Sequence, residues 1–232
     1  MNKNSKPTLS IIIPVFNEKN TVEKSIQRIV KLPISKEIIV VEDCSIDGSR
    51  EIIEKIRSKY SFTFLKNDIN SGKGASVLKA IPFARGEYVI VEDSDLELNP
   101  QNILEMLSEI EKGKFDLING NRNVISKKNT NFISKIAKII TNIMLRVLYG
   151  RNINDLLSSY KLCKLEKFKT LDMKSQRFGF ETEWIIRALK NHWRIKEMPI
   201  DYTPRKVSEG KKITVKDGID IIANIIKYRF QD

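Results

Sequence analysis

Tyr88-Val89-Ile90-Val91-Glu92-Asp93-Ser94-Asp95-Leu96-Glu97 sets a continuous apolar run directly before an acidic cluster. A short run that is apolar at every position reads as a strand buried on both faces, the condition of a parallel sheet covered by helices. The pattern recurs through the front half. Leu9–Val15 runs into Asn17-Glu18, residues 37–41 run into Glu42-Asp43, and residues 62–65 and 115–118 add two more such runs. Between them lie helical spacings over 21–30, after Asp47-Gly48 (Ile52, Ile53, Ile56), over 75–84 and over Asn102–Ile110. This alternation predicts an α/β fold: a Rossmann-like, mostly parallel sheet with helices on both faces and right-handed crossovers.

Open parallel sheets bind ligands beyond the carboxyl ends of their strands. Three of the runs end in acids there: Glu18, Glu42-Asp43, and the Glu92–Glu97 cluster. A single acid at a strand end is often a helix cap, as Asp43 or Asp47 could be. Three clusters on one rim repel one another unless a cation joins them. Asp93 and Asp95 are two apart, so an extended backbone points both to one side. Paired carboxylates offer hard oxygens suited to Mg²⁺ or Mn²⁺, ions that keep waters and bridge to a substrate phosphate.

Four segments then carry a resemblance: Ile12-Ile13-Pro14-Val15-Phe16-Asn17-Glu18, Val40-Val41-Glu42-Asp43-Cys44-Ser45-Ile46-Asp47-Gly48, Asn70-Ser71-Gly72-Lys73-Gly74-Ala75, and Asp93-Ser94-Asp95-Leu96-Glu97. In this order and spacing they resemble the family 2 glycosyltransferases of GT-A fold, and within them the dolichol-phosphate mannose synthase branch. The resemblance covers nearly the whole chain. It implies a nucleotide-sugar donor, with Pro14, Phe16 and Glu18 lining the nucleotide pocket and Asp43 accepting hydrogen bonds from the base. Asp93, Asp95 and Glu97 would hold the metal on the diphosphate, where it acts as a Lewis acid. Gly72-Lys73-Gly74 lacks the Walker A pattern and reads as a helix start near the donor.

The resemblance continues into the back half. Arg122 matches an arginine used near phosphate groups. Asp155-Leu156-Leu157-Ser158-Ser159-Tyr160 resembles an Asp-x-x-Ser-Gly-aromatic segment, with Ser159 in place of glycine. Glu42 likewise stands where an aspartate is usual. Gly179-Phe180-Glu181-Thr182-Glu183 resembles a helix that brings an acid to the acceptor side, a role expected of Glu183. Pro204-Arg205 and the segment around Lys211 resemble a C-terminal loop associated with donor and acceptor phosphates. Asp95, Arg122 and Arg205 are the catalytic candidates; Asp155, Ser158, Glu183 and Lys211 are the acceptor-side ones.

At 232 residues the chain suits one domain, a nucleotide-sugar half to about residue 120 and an acceptor-side helical extension after it. Cys44 and Cys163 lack metal-ligand spacing and read as reduced thiols, His192 as a surface turn residue. The polar start carries no signal peptide, and no stretch of about 18 apolar residues is present, giving a cytoplasmic, peripheral protein as the expectation. The net charge of +12, concentrated after residue 120, favours anionic partners. Nucleic acid is disfavoured, because the acidic rim repels phosphate and no aromatic-and-basic recognition motif appears. Phe132–Tyr149 reads as an amphipathic helix with a basic stripe (Lys135, Lys138, Arg146), suited either to a membrane interface or to packing on the core. A polyprenyl phosphate acceptor fits the basic back half, since a phosphate is already anionic and needs cations rather than a base. A saccharide hydroxyl acceptor is the alternative and needs a base such as Glu183 or Asp155. The donor nucleotide stays open between UDP and GDP.

Overall fold

The computed structural model describes residues 6–122, 132–177, 179–205 and 215–230. The front half alternates as its sequence predicts: β1 (Leu9–Val15), α1 (Val22–Val30), β2 (Lys36–Glu42), α2 (Ser49–Ile56), β3 (Thr63–Lys66), α3 (Lys73–Ala80), β4 (Tyr88–Val91), α4 (Asn102–Ile110) and β5 (Leu117–Asn121). There follow α5 (Phe132–Tyr149), β6 (Lys161–Lys164), α6 (Leu165–Lys169), α7 (Phe180–Lys190), β7 (Ile195–Pro199) and α8 (Val215–Phe230). The helix expected over 75–84 begins earlier, at Lys73, and stops at Ala80, where a 3-10 turn containing Pro82 replaces it. Proline has no N–H to continue an α-helical ladder.

The strands form one sheet in the order β3-β2-β1-β4-β6-β5-β7. β1 pairs in parallel with β2 and β4, β2 with β3, and β5 with β7. Only β6, among the described strands, runs antiparallel to its neighbours. Its sequence, Lys-Leu-Cys-Lys, has no alternation that marks it as a strand. The chain leaves β1 towards β2 and β3, then returns to β4 on the other side. That reversal opens a crevice at the carboxyl ends of β1 and β4.

The apolar runs fill both faces. Ile11, Ile13 and Val15 pack with Val22, Ile26, Ile53 and Ile103, while Ile12 packs on the opposite side with Val77, Trp184 and Ile185. Each such side chain contributes about 1.5–3 kcal/mol by leaving water. Pro14 is tolerated in the central strand because it lies past the last β1–β4 pair, Ile12 with Val91.

The start of α3 is held from above by the segment before α7. Ala75 N–H donates to Gln176 O at 3.0 Å, and Arg177 Nη2 donates to Asn70 O at 3.1 Å. A Cβ on Gly74 would stand 2.1 Å from the backbone oxygen of Ser175. Gly74→Ala is therefore expected to destabilise the protein by about 1–3 kcal/mol, the usual scale of overpacking. A melting temperature equal to wild type would contradict this contact.

The 132–149 helix forms as expected and docks on α8, with Tyr149 Oη donating to Ile225 O at 2.9 Å. Leu145 is buried, yet Ile139, Ile140, Ile143 and Val147 stay exposed, as do Ile226 and Phe230 of α8. The side chains of Lys135 and Lys138 lie outside the described residues.

Candidate active site

The loops after β1, β2 and β4 each turn on a non-glycine residue with positive φ: Asn17 at 55°, Cys44 at 60° and Leu96 at 65°. The left-handed region costs an ordinary residue about 1–2 kcal/mol and persists where surroundings enforce it. Here the loops lace together. Asn17 N–H donates to Ser45 Oγ and Ile46 N–H to Asn17 Oδ1, while Glu18 N–H donates to Ser49 Oγ and Lys19 N–H to Asp47 Oδ2.

Within this rim lies an open cleft of about 140 Å³, lined by Pro14, Phe16, Glu18, Asp43, Lys73 and the Asp93–Asp95 turn. It adjoins a larger one of about 440 Å³, to which Glu18, Asp95, Asp47 and Arg205 contribute. All the nucleotide-side candidates thus meet at one place. The carboxylates of Asp93 and Asp95 arrive there on a turn, not on the extended backbone that the sequence suggests.

Burial first, and the adjacent Asp93 charge second, push the Asp95 carboxyl up to about 7. Two carboxylates crowded together repel each other, and a divalent cation between them relieves that repulsion. Among the described residues no three His, Cys, Asp or Glu side chains gather into a cage. Asp93 and Asp95 offer hard carboxylate oxygens, the donor type that Mg²⁺ or Mn²⁺ takes alongside waters and phosphate oxygens. Glu97 lies close enough for its charge to act on Asp95. Its Oε1 accepts the backbone N–H of Arg205 at 2.9 Å, and its own N–H donates to Asp95 Oδ1 at 3.0 Å. The third expected ligand thus also docks the segment that carries Arg205.

Asp43 is almost fully buried, and loop 67–72 fills its carboxylate. Oδ1 accepts from Asn67 Nδ2 (2.7 Å) and Ser71 N–H (2.9 Å), Oδ2 from Asn70 Nδ2 (3.1 Å) and Gly72 N–H (2.7 Å). The residue that the resemblance assigns to the donor base thus fixes the loop leading into α3 while lining the cleft. Glu42, in the place of an aspartate, uses its longer stem to bind Arg50 Nε at 2.6 Å and to accept the N–H of Ser45.

Sequence reading missed two groups. Lys73 Nζ sits 2.6 Å from Asp93 Oδ1 and 2.6 Å from Glu181 Oε1. Glu181, not Glu183, is the α7 acid that meets the cleft-lining Lys73. Glu183 is fully buried, accepting Lys174 and Ser175 N–H and pairing with Arg187 Nε at 2.7 Å. Two residues along a helix turn by about 200°, so the two acids face opposite ways.

Arg205 clamps the rim. Its Nε donates to Asp95 O at 2.9 Å and its Nη2 to Glu18 Oε2 at 2.8 Å. Arg122 is committed elsewhere, bidentate to Asp155 at 2.8 Å through both Nε and Nη2. Burial pushes the Asp155 carboxyl up, but Arg122 outweighs it and holds the group below its ordinary value. Ser158 is buried, with no partner for its Oγ among the described residues. The same segment reaches the acidic turn through Tyr160, whose hydroxyl donates to Glu92. Lys161 is buried with its ammonium on the carbonyls of Leu156 and Ser158, and burial lowers it to about 7. Lys211 lies outside the described residues. Cys44 and Cys163 are free thiols.

Residues 10–172 match the sequence profile of Glycosyl transferase family 2. The chain is 27% identical over 209 residues to dodecaprenyl-phosphate galacturonate synthase of Rhizobium johnstonii, covering 88% of this chain and 61% of that one. It is 24% identical over 236 residues to glycosyltransferase AglD of Haloferax volcanii, covering 96% of this chain and 37% of that one. It therefore spans about a third to three fifths of these relatives' lengths. Among solved structures, glucosyl-3-phosphoglycerate synthase from Mycobacterium tuberculosis, in complex with Mn²⁺, UDP and phosphoglyceric acid, superposes with a TM-score of 0.72. Identity there is 17%, over 97% of this chain and 80% of that one. S. aureus TarS, in complex with UDP-GlcNAc, gives 0.66 at 19% identity, over 95% and 66%. With the sheet order described above, these likenesses make the fold GT-A.

Proposed function

Because this chain belongs to Glycosyl transferase family 2, we propose that it transfers a hexose, with inversion, from a nucleotide diphosphate sugar to a polyprenyl phosphate. The observation that carries this reading is the state of the acids. A sugar hydroxyl needs a base to take its proton, and the acids expected to serve, Asp155 and Glu183, are bound to Arg122 and Arg187, as Glu181 is to Lys73. An acceptor phosphate needs none. The dodecaprenyl-phosphate product in the name of the Rhizobium relative supports the same acceptor class.

In this reading the donor lies along the cleft, its nucleotide between Pro14, Phe16 and Glu18 and its diphosphate at the Asp93–Asp95 turn. Asp93 and Asp95 would hold a Mg²⁺ or Mn²⁺, which when bound would supply Lewis-acid neutralisation of the diphosphate. An acceptor phosphate oxygen attacks the anomeric carbon from the face opposite the diphosphate. The C1–O bond breaks, and its electron pair leaves with the nucleoside diphosphate. Arg205 stabilises the rim on which that charge collects, and Asp43 fixes the loop behind it. A screen of labelled UDP- and GDP-hexoses with short-chain polyprenyl phosphate and Mn²⁺ tests the reading. Lipid-extractable label from at least one donor is expected; none from any would overturn it.

A lipid-borne acceptor also gives the exposed face of α5 and α8 a use. Ile139, Ile140, Ile143, Val147, Ile226 and Phe230 are exposed beside Arg146, Lys227 and Arg229, the composition of a surface that lies on anionic lipid. Among the described residues no helix is long and apolar enough to cross a membrane. The protein is read as peripheral, on the cytoplasmic face. Ile143→Asp with Val147→Asp is expected to weaken sedimentation with anionic liposomes at least about tenfold, since each large apolar side chain withdrawn from water is worth about 1.5–3 kcal/mol. Binding equal to wild type would detach this face from the membrane.

A further inference from the structure

The cleft carries its own cation. Lys73 Nζ bridges Asp93 Oδ1 and Glu181 Oε1 at 2.6 Å each, and the Asp93 and Glu181 side chains are 30% and 11% exposed. The backbone beneath it is fixed. Ser71 and Gly72 N–H donate to Asp43, and a Cβ on Gly72 would stand 2.6 Å from Gln176 O. The mobile part is the side chain, a flexible four-carbon stem ending in a point charge.

An ammonium at 2.6 Å from Asp93 Oδ1 takes one lone-pair direction of that carboxylate, and a divalent ion on the same group would be close enough for the two cations to repel. Resting on the reading that Asp93 and Asp95 receive the donor's metal, we propose that Lys73 is a placeholder cation and positioning residue. It neutralises Asp93 while the cleft is empty. When the donor arrives with its metal, Lys73 releases Asp93 and turns to the diphosphate oxygens, still tethered by Glu181. The site therefore discriminates against metal without nucleotide, and the leaving diphosphate meets a second positive charge that belongs to the protein. Lys73, Asp93, Asp95 and Glu18 all line the one cleft, so the swing stays within it.

Titration of Mn²⁺ by electron paramagnetic resonance, without nucleotide, tests this on folded wild type, Lys73→Met and Lys73→Arg. Lys73→Met is expected to bind free Mn²⁺ at least about fivefold tighter than wild type, in keeping with loss of a partly exposed ion pair. Lys73→Arg, which keeps the charge, should stay near wild type. With Mn²⁺ saturating, Lys73→Met should bind whichever of UDP and GDP the wild type prefers at least about fivefold more weakly. Free-Mn²⁺ affinity in Lys73→Met equal to or below wild type would overturn the proposal while leaving the metal reading intact. If neither protein binds Mn²⁺ even with nucleotide, the metal reading itself falls and takes the placeholder with it. Should Lys73→Met fail to fold, a crystal structure of wild type with Mn²⁺ and the nucleotide decides. Nζ against a phosphate oxygen supports the swing, and Nζ still on Asp93 refutes it.

Discussion

Asp95→Asn is expected to lower kcat at least about 10³-fold, some 4 kcal/mol of transition-state stabilisation, while folding as wild type does. The side chain lines both parts of the cleft, and its Oδ1 already accepts Glu97 N–H at 3.0 Å. An asparagine carbonyl can keep that bond, so the turn survives. What disappears is the Asp95 carboxylate itself, the group that burial and the Asp93 charge push up to about 7. Removing one of two crowded carboxylates relieves repulsion in the empty protein and takes a hard oxygen from the cation. Stability and turnover should therefore separate: melting temperature equal or higher, product formation nearly gone. Near-normal turnover in the variant, or full activity in EDTA, would remove the metal from the mechanism.

Arg205→Ala is expected to cut kcat/KM at least about 100-fold, about 2.7 kcal/mol. The guanidinium reaches from Asp95 O to Glu18 Oε2, joining the loop after β4 to the loop after β1. Its backbone N–H is separately held by Glu97, so the segment stays docked when the side chain is cut. The loss then falls on the clamp and on the positive charge that, in the proposed function, faces the diphosphate. Arg205→Lys should not restore activity, because one ammonium cannot span both acceptors in the geometry of a planar fork. Activity within about threefold of wild type in the alanine variant would reduce Arg205 to surface charge.

The front half was legible because its information is local. Tyr88–Val91 and Leu9–Val15 are apolar at nearly every position and end in polar clusters, so their limits and the rim they build could be read directly. The parts that escaped reading depend on residues far apart in sequence. β6 begins at Lys161, a residue type that argues against a buried strand until the carbonyls of Leu156 and Ser158 receive its ammonium. Lys73 reads as a helix start; its charge acquires a role once Asp93 and Glu181 converge on it from two other elements. Likeness of motif marked the first turn of α7 but not which of its acids faces the cleft. That choice is set by Arg187 and by the N–H groups of Lys174 and Ser175, which claim Glu183. Asp43 shows the converse. Its place at the rim was apparent from the motif, whereas its hold on residues 67–72 required the folded loop.

The acceptor is the central claim, and a direct comparison of two acceptors tests it. The protein is given one labelled nucleotide sugar, Mn²⁺ or Mg²⁺, and either a short-chain polyprenyl phosphate or a saccharide offering free hydroxyls, with liposomes present in both. The predicted result is label on the polyprenyl phosphate, released by mild acid as a glycosyl phosphate should be, with stoichiometric nucleoside diphosphate and no labelled saccharide. Robust transfer to the saccharide with none to the polyprenyl phosphate would contradict it, and would mean that one of the acids now bound in an ion pair is freed to act as a base.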